Sequence, residues 1–184
     1  EYTFRAMSLG SIGVPAAGMA AIPKQLAEKA RDAGVDVRTG EAVERIETAG
    51  NAVTVETGSE THEPDAVVVA TDPRSARNLT GVDSIPTEAK AVVTQHYRLP
   101  GPELAAGARI MLNAETEGPN TVAQLSAVAP EYTDGDDVLL AASFVGEDIQ
   151  DLEEDDLSDR TRECLEAWYP ERGFDGLETL TTDD

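Results

Sequence analysis

The chain has 184 residues, with 36 acidic and 14 basic side chains and a formal charge of −22. Charge of this sign and size excludes a nucleic-acid binder that works by neutralising phosphates, and it disfavours anionic membrane surfaces. One cysteine, Cys164, excludes a disulfide framework and any zinc or iron–sulfur centre built from this chain's cysteines.

Length allows one ordinary domain or two interleaved small ones, and 40% apolar residues suffice for a core. No apolar run approaches the roughly 18 residues of a membrane span. The charge is uneven: residues 1–99 hold 14 acids and 10 bases (net −4), and residues 100–184 hold 22 and 4 (net −18). Eleven of the basic residues are arginine and three are lysine. An acid-rich, lysine-poor surface is the pattern of proteins from a high-salt cytoplasm, where a Debye length of about 3 Å makes self-repulsion cheap. That composition predicts a haloarchaeal character and a cytoplasmic location, with a membrane-peripheral position left open. The alternative is an acidic interaction module. The start at Glu1-Tyr2-Thr3-Phe4 shows no signal peptide, and both ends read as cuts, which predicts an internal-to-C-terminal fragment of a longer protein.

The first element is a helix over residues 19–33, from Ala21, Ile22, Leu26, Ala30 and Ala33 at three- and four-residue steps, with Pro23 in the first turn and Gly34 after the end. Val35–Arg38 alternates and predicts a short strand. Residues 42–47 and 52–56 predict two strands joined by a turn at Ala49-Gly50-Asn51, and another short strand follows Gly58-Ser59. Ala66-Val67-Val68-Val69-Ala70 is apolar without alternation, the mark of a strand buried on both faces of a parallel sheet. A short helix is predicted over Arg74–Leu79. Four strands follow, at Ala91–Arg98, Ala108–Asn113, Thr121–Val128 and Val138–Val145, separated by Gly and Pro, a spacing that favours an antiparallel sheet. A last helix runs from Leu157 to Tyr169, with Leu157, Thr161, Cys164, Leu165 and Trp168 on one face and Pro170 ending it. The fold class is therefore mixed α/β.

The chemistry-bearing residues are sparse. His62 and His96, the two histidines, belong to no nucleophile elbow or metal-binding helix and read as solvated or packed. Cys164 faces inward as a small hydrophobe. Asp134-Gly135-Asp136-Asp137 and the acid-rich Asp151–Asp159 lack the calcium-loop spacing and read as solvated acidic surface, so no metal site is predicted. Gly10-Ser11-Ile12-Gly13 leads toward a helix, yet neither a Gly-x-Gly-x-x-Gly nor a phosphate-binding Gly-x-x-x-x-Gly-Lys occurs. No catalytic residue is predicted.

One ordered block remains: Val14-Pro15-Ala16-Ala17-Gly18-Met19, the helix to Gly34, Val43-Glu44-Arg45-Ile46, Val53-Thr54-Val55, and Asp65-Ala66-Val67-Val68-Val69-Ala70-Thr71-Asp72-Pro73. It resembles the middle of the FAD-dependent amine oxidase and phytoene desaturase (phytoene dehydrogenase) family, and the helix ending Leu165-Glu166-Ala167-Trp168-Tyr169-Pro170 is similar to that family's late helix. The resemblance implies a Rossmann-like FAD-binding domain split along the sequence. Residues 1–79 would be its middle portion, and residues 80–184 a largely antiparallel substrate-domain sheet with its C-terminal helix. The glycine-rich dinucleotide unit would lie upstream and a final flavin segment downstream. It further implies FAD contacts from the backbone of Val43 at the adenine end and from Ala70 and Thr71 near the ribose and pyrophosphate. Gly18 and Met19 would stand at a turn beside the substrate cavity, and the ligand would be a small apolar substrate. Two departures stand out: Ala17 replaces a turn glycine, and Lys90 is the one lysine of residues 80–184. The second favours desaturation by hydride transfer over amine-oxidase or protoporphyrinogen-oxidase chemistry.

Overall fold

The computed structural model describes residues 5, 9, 13–50, 52–114, 117–133, 135–146 and 149–183. Gly10, Ser11, Ile12, Asn51, Asp134 and Asp184 from the sequence readings lie outside these residues. The chain divides into two compact units, one from Glu1–Leu26 with Lys90–Asp184 and one from Ala27–Ala89.

Helix α1, Ala21–Asp32, begins in the first unit and ends in the second. Gly34 stops it at φ 86°, where its N–H donates to Arg31 (2.9 Å) and Val35 N–H reaches back to Ala30 (3.0 Å). Only a residue without a Cβ takes that left-handed position cheaply. In the second unit, β1 (Val43–Ala49), β2 (Ala52–Thr57) and β3 (Thr61–His62) form an antiparallel meander in that order. Helix α2, Pro73–Thr80, packs on β1. Asp72 caps α2 by accepting from Ser75 N–H (3.0 Å), Pro73 fits its first turn, and Gly81 ends it at φ 67°.

Two expected strands of this unit are absent. Val35–Arg38 and Ala66–Ala70 carry no ladder, and Val68 is 90% exposed. An apolar strand is buried on both faces only when neighbouring strands and helices cover it, and no described segment pairs with either run. No described residue of 27–89 is buried.

The core lies in the other unit. Strands β4 (Ala91–Leu99), β5 (Ile110–Leu112), β6 (Thr121–Gln124), β7 (Val138–Gly146) and β8 (Glu178–Asp183) form one sheet in the order β5-β6-β7-β4-β8. Every described pairing is antiparallel. The predicted strand over Thr121–Val128 stops at Gln124, where Leu125–Ala127 tightens into a 3₁₀ turn and a second follows at Pro130–Tyr132. Helix α3, Glu154–Trp168, covers one face of the sheet and starts earlier than its apolar period suggests, because Glu154, Asp155 and Asp156 suit a helix N-terminus. Leu157, Thr161, Cys164 and Leu165 of α3 are buried, as their spacing predicts. Tyr97, Leu99, Val122, Leu140, Leu165 and Phe174 form the centre of the core.

Candidate functional site

Alternation along β4 sends Val93, Gln95, Tyr97 and Leu99 into the core and leaves Thr94, His96 and Arg98 on the opposite face. The inward polar pair is fully satisfied. The Tyr97 hydroxyl pairs with the Gln95 carboxamide oxygen and with Thr161 Oγ1 (3.0 Å). Gln95 Nε2 donates to the Glu154 carbonyl (3.0 Å) and to Thr182 Oγ1 (3.1 Å). This network ties α3 and β8 to β4. Burial pushes the Tyr97 phenol up from its ordinary value, against the opposing pull of Thr161.

The opposite face has a different composition. At one level across the strands, Ile110, Ala123, Ala141, His96 and Thr181 stand side by side. At the next level the row is Leu112, Thr121, Ser143, Thr94 and Asp183. Small side chains thus floor the middle, with a Thr94–Ser143 hydroxyl pair at 2.9 Å. Apolar bulk stands exposed at one edge, Ile110 at 66% and Leu112 at 75%, and Val92 and Val145 extend it along β4 and β7. The β4 side is charged. His96 Nδ1 lies 3.3 Å from Asp183 Oδ2, and Arg98 is paired with Asp137 (2.9 Å) and Glu178 (3.3 Å). The exposed apolar edge at Ile110 and Leu112 is the part of this face best suited to an apolar ligand.

A cavity of about 510 Å³ opens at one end of the sheet, but Glu103, Asp136 and Asp137 line it. Carboxylates there resist an apolar ligand. Among the described residues no group of three or more His, Cys, Asp or Glu side chains is placed to hold a metal ion.

The sequence-predicted residues fall as follows. Gly18 closes a turn on Pro15 (N–H to carbonyl, 3.0 Å) at φ 82°, and Met19 beside it is 60% exposed. The positive φ falls on Gly18, so Ala17 is accommodated without strain. In the other unit, Val43 opens β1 and is 40% exposed; Glu44 follows as the extra residue of a bulge. Ala70 and Thr71 end the unladdered apolar run, immediately before the Asp72 cap of α2. Main-chain groups from Ala66 to Thr71 form no ladder with any described segment. The N-terminus of α2 offers no phosphate cradle, because the Asp72 carboxylate already holds the Ser75 N–H and would repel a second anion. The Ser75 hydroxyl, together with that N–H, holds the Asp72 carboxyl below its usual range. His96 and the apolar Ile110 and Leu112 were not singled out as site residues by sequence reasoning. The signal that could have found them is the parity of β4, which places His96 opposite the buried Gln95 and Tyr97.

Residues 3–183 match the family model described as flavin containing amine oxidoreductase. A phytoene dehydrogenase from Streptomyces griseus is 38% identical over 66 residues, 35% of this chain and 13% of that protein. Two solved structures share the fold over 91% of this chain. One is a protein from Exiguobacterium sp. 255-15 assigned as a protoporphyrinogen oxidase (TM-score 0.60, 12% identity, 38% of that chain covered). The other is an oxidoreductase from Methanosarcina mazei (TM-score 0.66, 15% identity, 42% covered). The chain therefore spans about an eighth of the matched phytoene dehydrogenase and about two fifths of these structures.

Proposed function

Because this chain belongs to the flavin containing amine oxidoreductase family, we propose that it forms part of an FAD-dependent oxidoreductase of phytoene dehydrogenase type that dehydrogenates an apolar substrate. The observation that carries this reading is the open face of the five-stranded sheet, floored by Ala123 and Ala141 and rimmed by exposed Ile110 and Leu112. A bound flavin supplies the hydride acceptor. The chain's own residues supply surface and orientation. Residues 80–184 offer the apolar wall against which a substrate is held and water excluded. Residues 1–79 contribute the middle of the flavin domain. There the backbone of Val43 meets the adenine end, Ala70 and Thr71 pass the ribose and pyrophosphate through their main chain and not through the α2 N-terminus, and the Gly18–Met19 turn borders the substrate. Exposure of the apolar run Ala66–Ala70 supports this division, since such a run needs further sheet and helix to cover it. Lys90 precedes β4 instead of standing at its centre, which favours desaturation over amine oxidation.

Reconstitution tests the proposal. The intact protein, incubated with FAD in molar salt and desalted, is expected to keep a flavin spectrum that bleaches when phytoene is added without oxygen. The chain of residues 1–184 alone is expected to keep no flavin. An intact protein that retains no flavin, or a retained flavin that no apolar polyene bleaches, overturns it.

A further inference from the structure

Burial is divided very unevenly along this chain. Among the described residues, every buried one lies within residues 90–184. Residues 27–89 contain none, and helix α1, which enters that unit, buries no residue either. Val35, Val43, Val67, Val68 and Val82 all meet solvent. What holds the unit is local: the β1–β2–β3 register, the Asp72 cap, and the Glu41 carboxylate on Thr57 and Ser59. Arg38 adds ion pairs to Asp36 (2.7 Å) and Glu60 (2.8 Å), but exposed pairs contribute little. A small meander with one short helix on it and no buried side chain lacks the apolar burial that offsets the entropy of ordering.

The sequence of the unit calls for cover. Val67-Val68-Val69 does not alternate, so it suits a strand enclosed on both faces, and parallel neighbours reach such a strand through crossovers of one chain. No described segment supplies one. A second copy would bring the same bare run and another 22 negative charges. The chain covers about two fifths of the structures it matches, so the reading above leaves further polypeptide of the same protein to serve as the cover.

We propose that residues 27–89 fold conditionally. The five-stranded sheet with α3 is stable on its own core, whereas the β1–β3 meander and α2 become stable only when polypeptide outside residues 1–184 covers the Ala66–Ala70 run. The inference rests on the reading that this chain is part of a longer flavoenzyme, and it adds the order of assembly. Val43, Ala70 and Thr71 lie in the conditional unit, so the cofactor contacts assigned to them form last.

Amide exchange read by mass spectrometry tests this on the chain of residues 1–184 and on the intact protein, both in molar KCl with FAD. In the chain, peptides covering β1 and β2 should exchange about a hundredfold or more faster than those covering β4 and β7. In the intact protein they should slow by about that factor, because covering even one exposed valine shifts the opening equilibrium about ten- to a hundredfold. Val68→Asp should change nothing in the chain, where its side chain already meets water. In the intact protein it should speed β1 and β2 about tenfold or more, while β4 and β7, which report misfolding, stay protected. The inference fails if β1 and β2 are as protected in the chain as β4 and β7, if the intact protein protects them no better than the chain does, or if Val68→Asp leaves them unchanged there. Protection that rises with the chain's own concentration would name a second copy as the cover and overturn it too. An intact protein that protects β1 and β2 yet retains no flavin supports this inference while the flavin reading fails.

Discussion

The Tyr132 hydroxyl donates to the Pro15 carbonyl at 2.7 Å, across 117 residues of chain. This bond tethers the Pro15–Gly18 turn, which the family resemblance sets beside the substrate, to the 3₁₀ turn at Pro130–Tyr132. Tyr132→Phe keeps the ring and removes the donor, so stability should fall by about 1 kcal/mol. The Gly18 amide, bonded to Pro15 within the same turn, should exchange with solvent faster. Unchanged exchange at Gly18 would show that the turn holds itself.

Gly18 itself gives a second prediction. A Cβ built there meets nothing within 4 Å, so space is no obstacle, but φ is 82°. Gly18→Ala should therefore cost about 1–2 kcal/mol through backbone strain alone. Ala17→Gly should not stabilise the turn, because position 17 does not use the left-handed region. Thermal melts of both variants decide this, and equal melting temperatures for Gly18→Ala and the parent would contradict it.

Inside the sheet, Gln95 accounts for more than its size suggests. Gln95→Ala removes its bonds to Glu154 and Thr182 and leaves a hole beside Tyr97, so a loss of about 2–4 kcal/mol is expected, with β8 fraying first. Tyr97→Phe should cost less, about 1 kcal/mol, because Ser158 still reaches Gln95 Oε1 (3.3 Å) and Thr161 still donates to the Leu157 carbonyl (2.9 Å). The folded Tyr97 phenol titrates above its ordinary value. Its neutral form is therefore favoured on folding, and stability should decline as pH rises past about 10. Denaturant titrations at pH 8 and pH 11 check the sign, with Tyr97→Phe flattening the difference.

How much of this was legible in the sequence depends on whether the determinants were local. The inward face of α3 was readable because Leu157, Thr161, Cys164 and Leu165 repeat at helical spacing. Helix α2 was legible as the short helix predicted over Arg74–Leu79, and the structure extends it to Pro73–Thr80 between the Asp72 cap and Gly81. Strand β8 did not, because Glu178-Thr179-Leu180-Thr181-Thr182-Asp183 has no apolar alternation. It is held by pairing with β4 and by Thr179 and Thr182 bonding to Ser158 and Gln95. The opposite error at Ala66–Ala70 has the same root: apolar composition shows that a strand needs covering but not which segment covers it. Alternation along β4 sets His96 apart from Gln95 and Tyr97, but Ile110 and Leu112 join it on one face only through the register of β5, β6 and β7, which is not local.

The two units should respond differently to acid. Residues 27–89 lack a buried core and depend in part on carboxylates. Asp72 caps α2, and Glu41 accepts from Ser59 (2.7 Å) and Thr57 (2.8 Å), bonds that hold its carboxyl low. Folded pKa values depressed in this way stabilise the fold above the ordinary carboxylate range and lose that stability as pH falls through them. The buried polar residues of the other unit are Gln95, Gln124, Ser126 and Thr161, and neither these nor Tyr97 titrates in acid. Amides at Ser75 and Thr57 should therefore lose protection between about pH 5 and pH 2 before those of β4 and β7. Asp72→Asn should keep the cap and abolish the pH response at Ser75. Simultaneous loss of protection in both units would contradict this.

The acid load makes a prediction about salt. On α3, Asp155, Asp156, Glu163 and Glu166 all face solvent, with Arg162–Asp159 (2.8 Å) as the ion pair within the helix. At low ionic strength the Debye length of about 10 Å lets these charges repel one another across the surface; at 1 M it shrinks to about 3 Å. Screening also weakens the exposed pairs of Arg98 with Asp137 and Glu178, but such pairs contribute about 0–1 kcal/mol each. With 36 acids against 14 bases, relief of repulsion outweighs that loss. Melting temperature should rise steadily from 0.1 to 2 M KCl, by about 2–4 °C for each kcal/mol gained in a chain of this size. Sucrose strengthens burial without screening charge, so it should raise stability far less than KCl does. A melting temperature that is flat or falls with KCl, or that sucrose raises as much, would mean the acids serve an interaction surface and not a salty solvent.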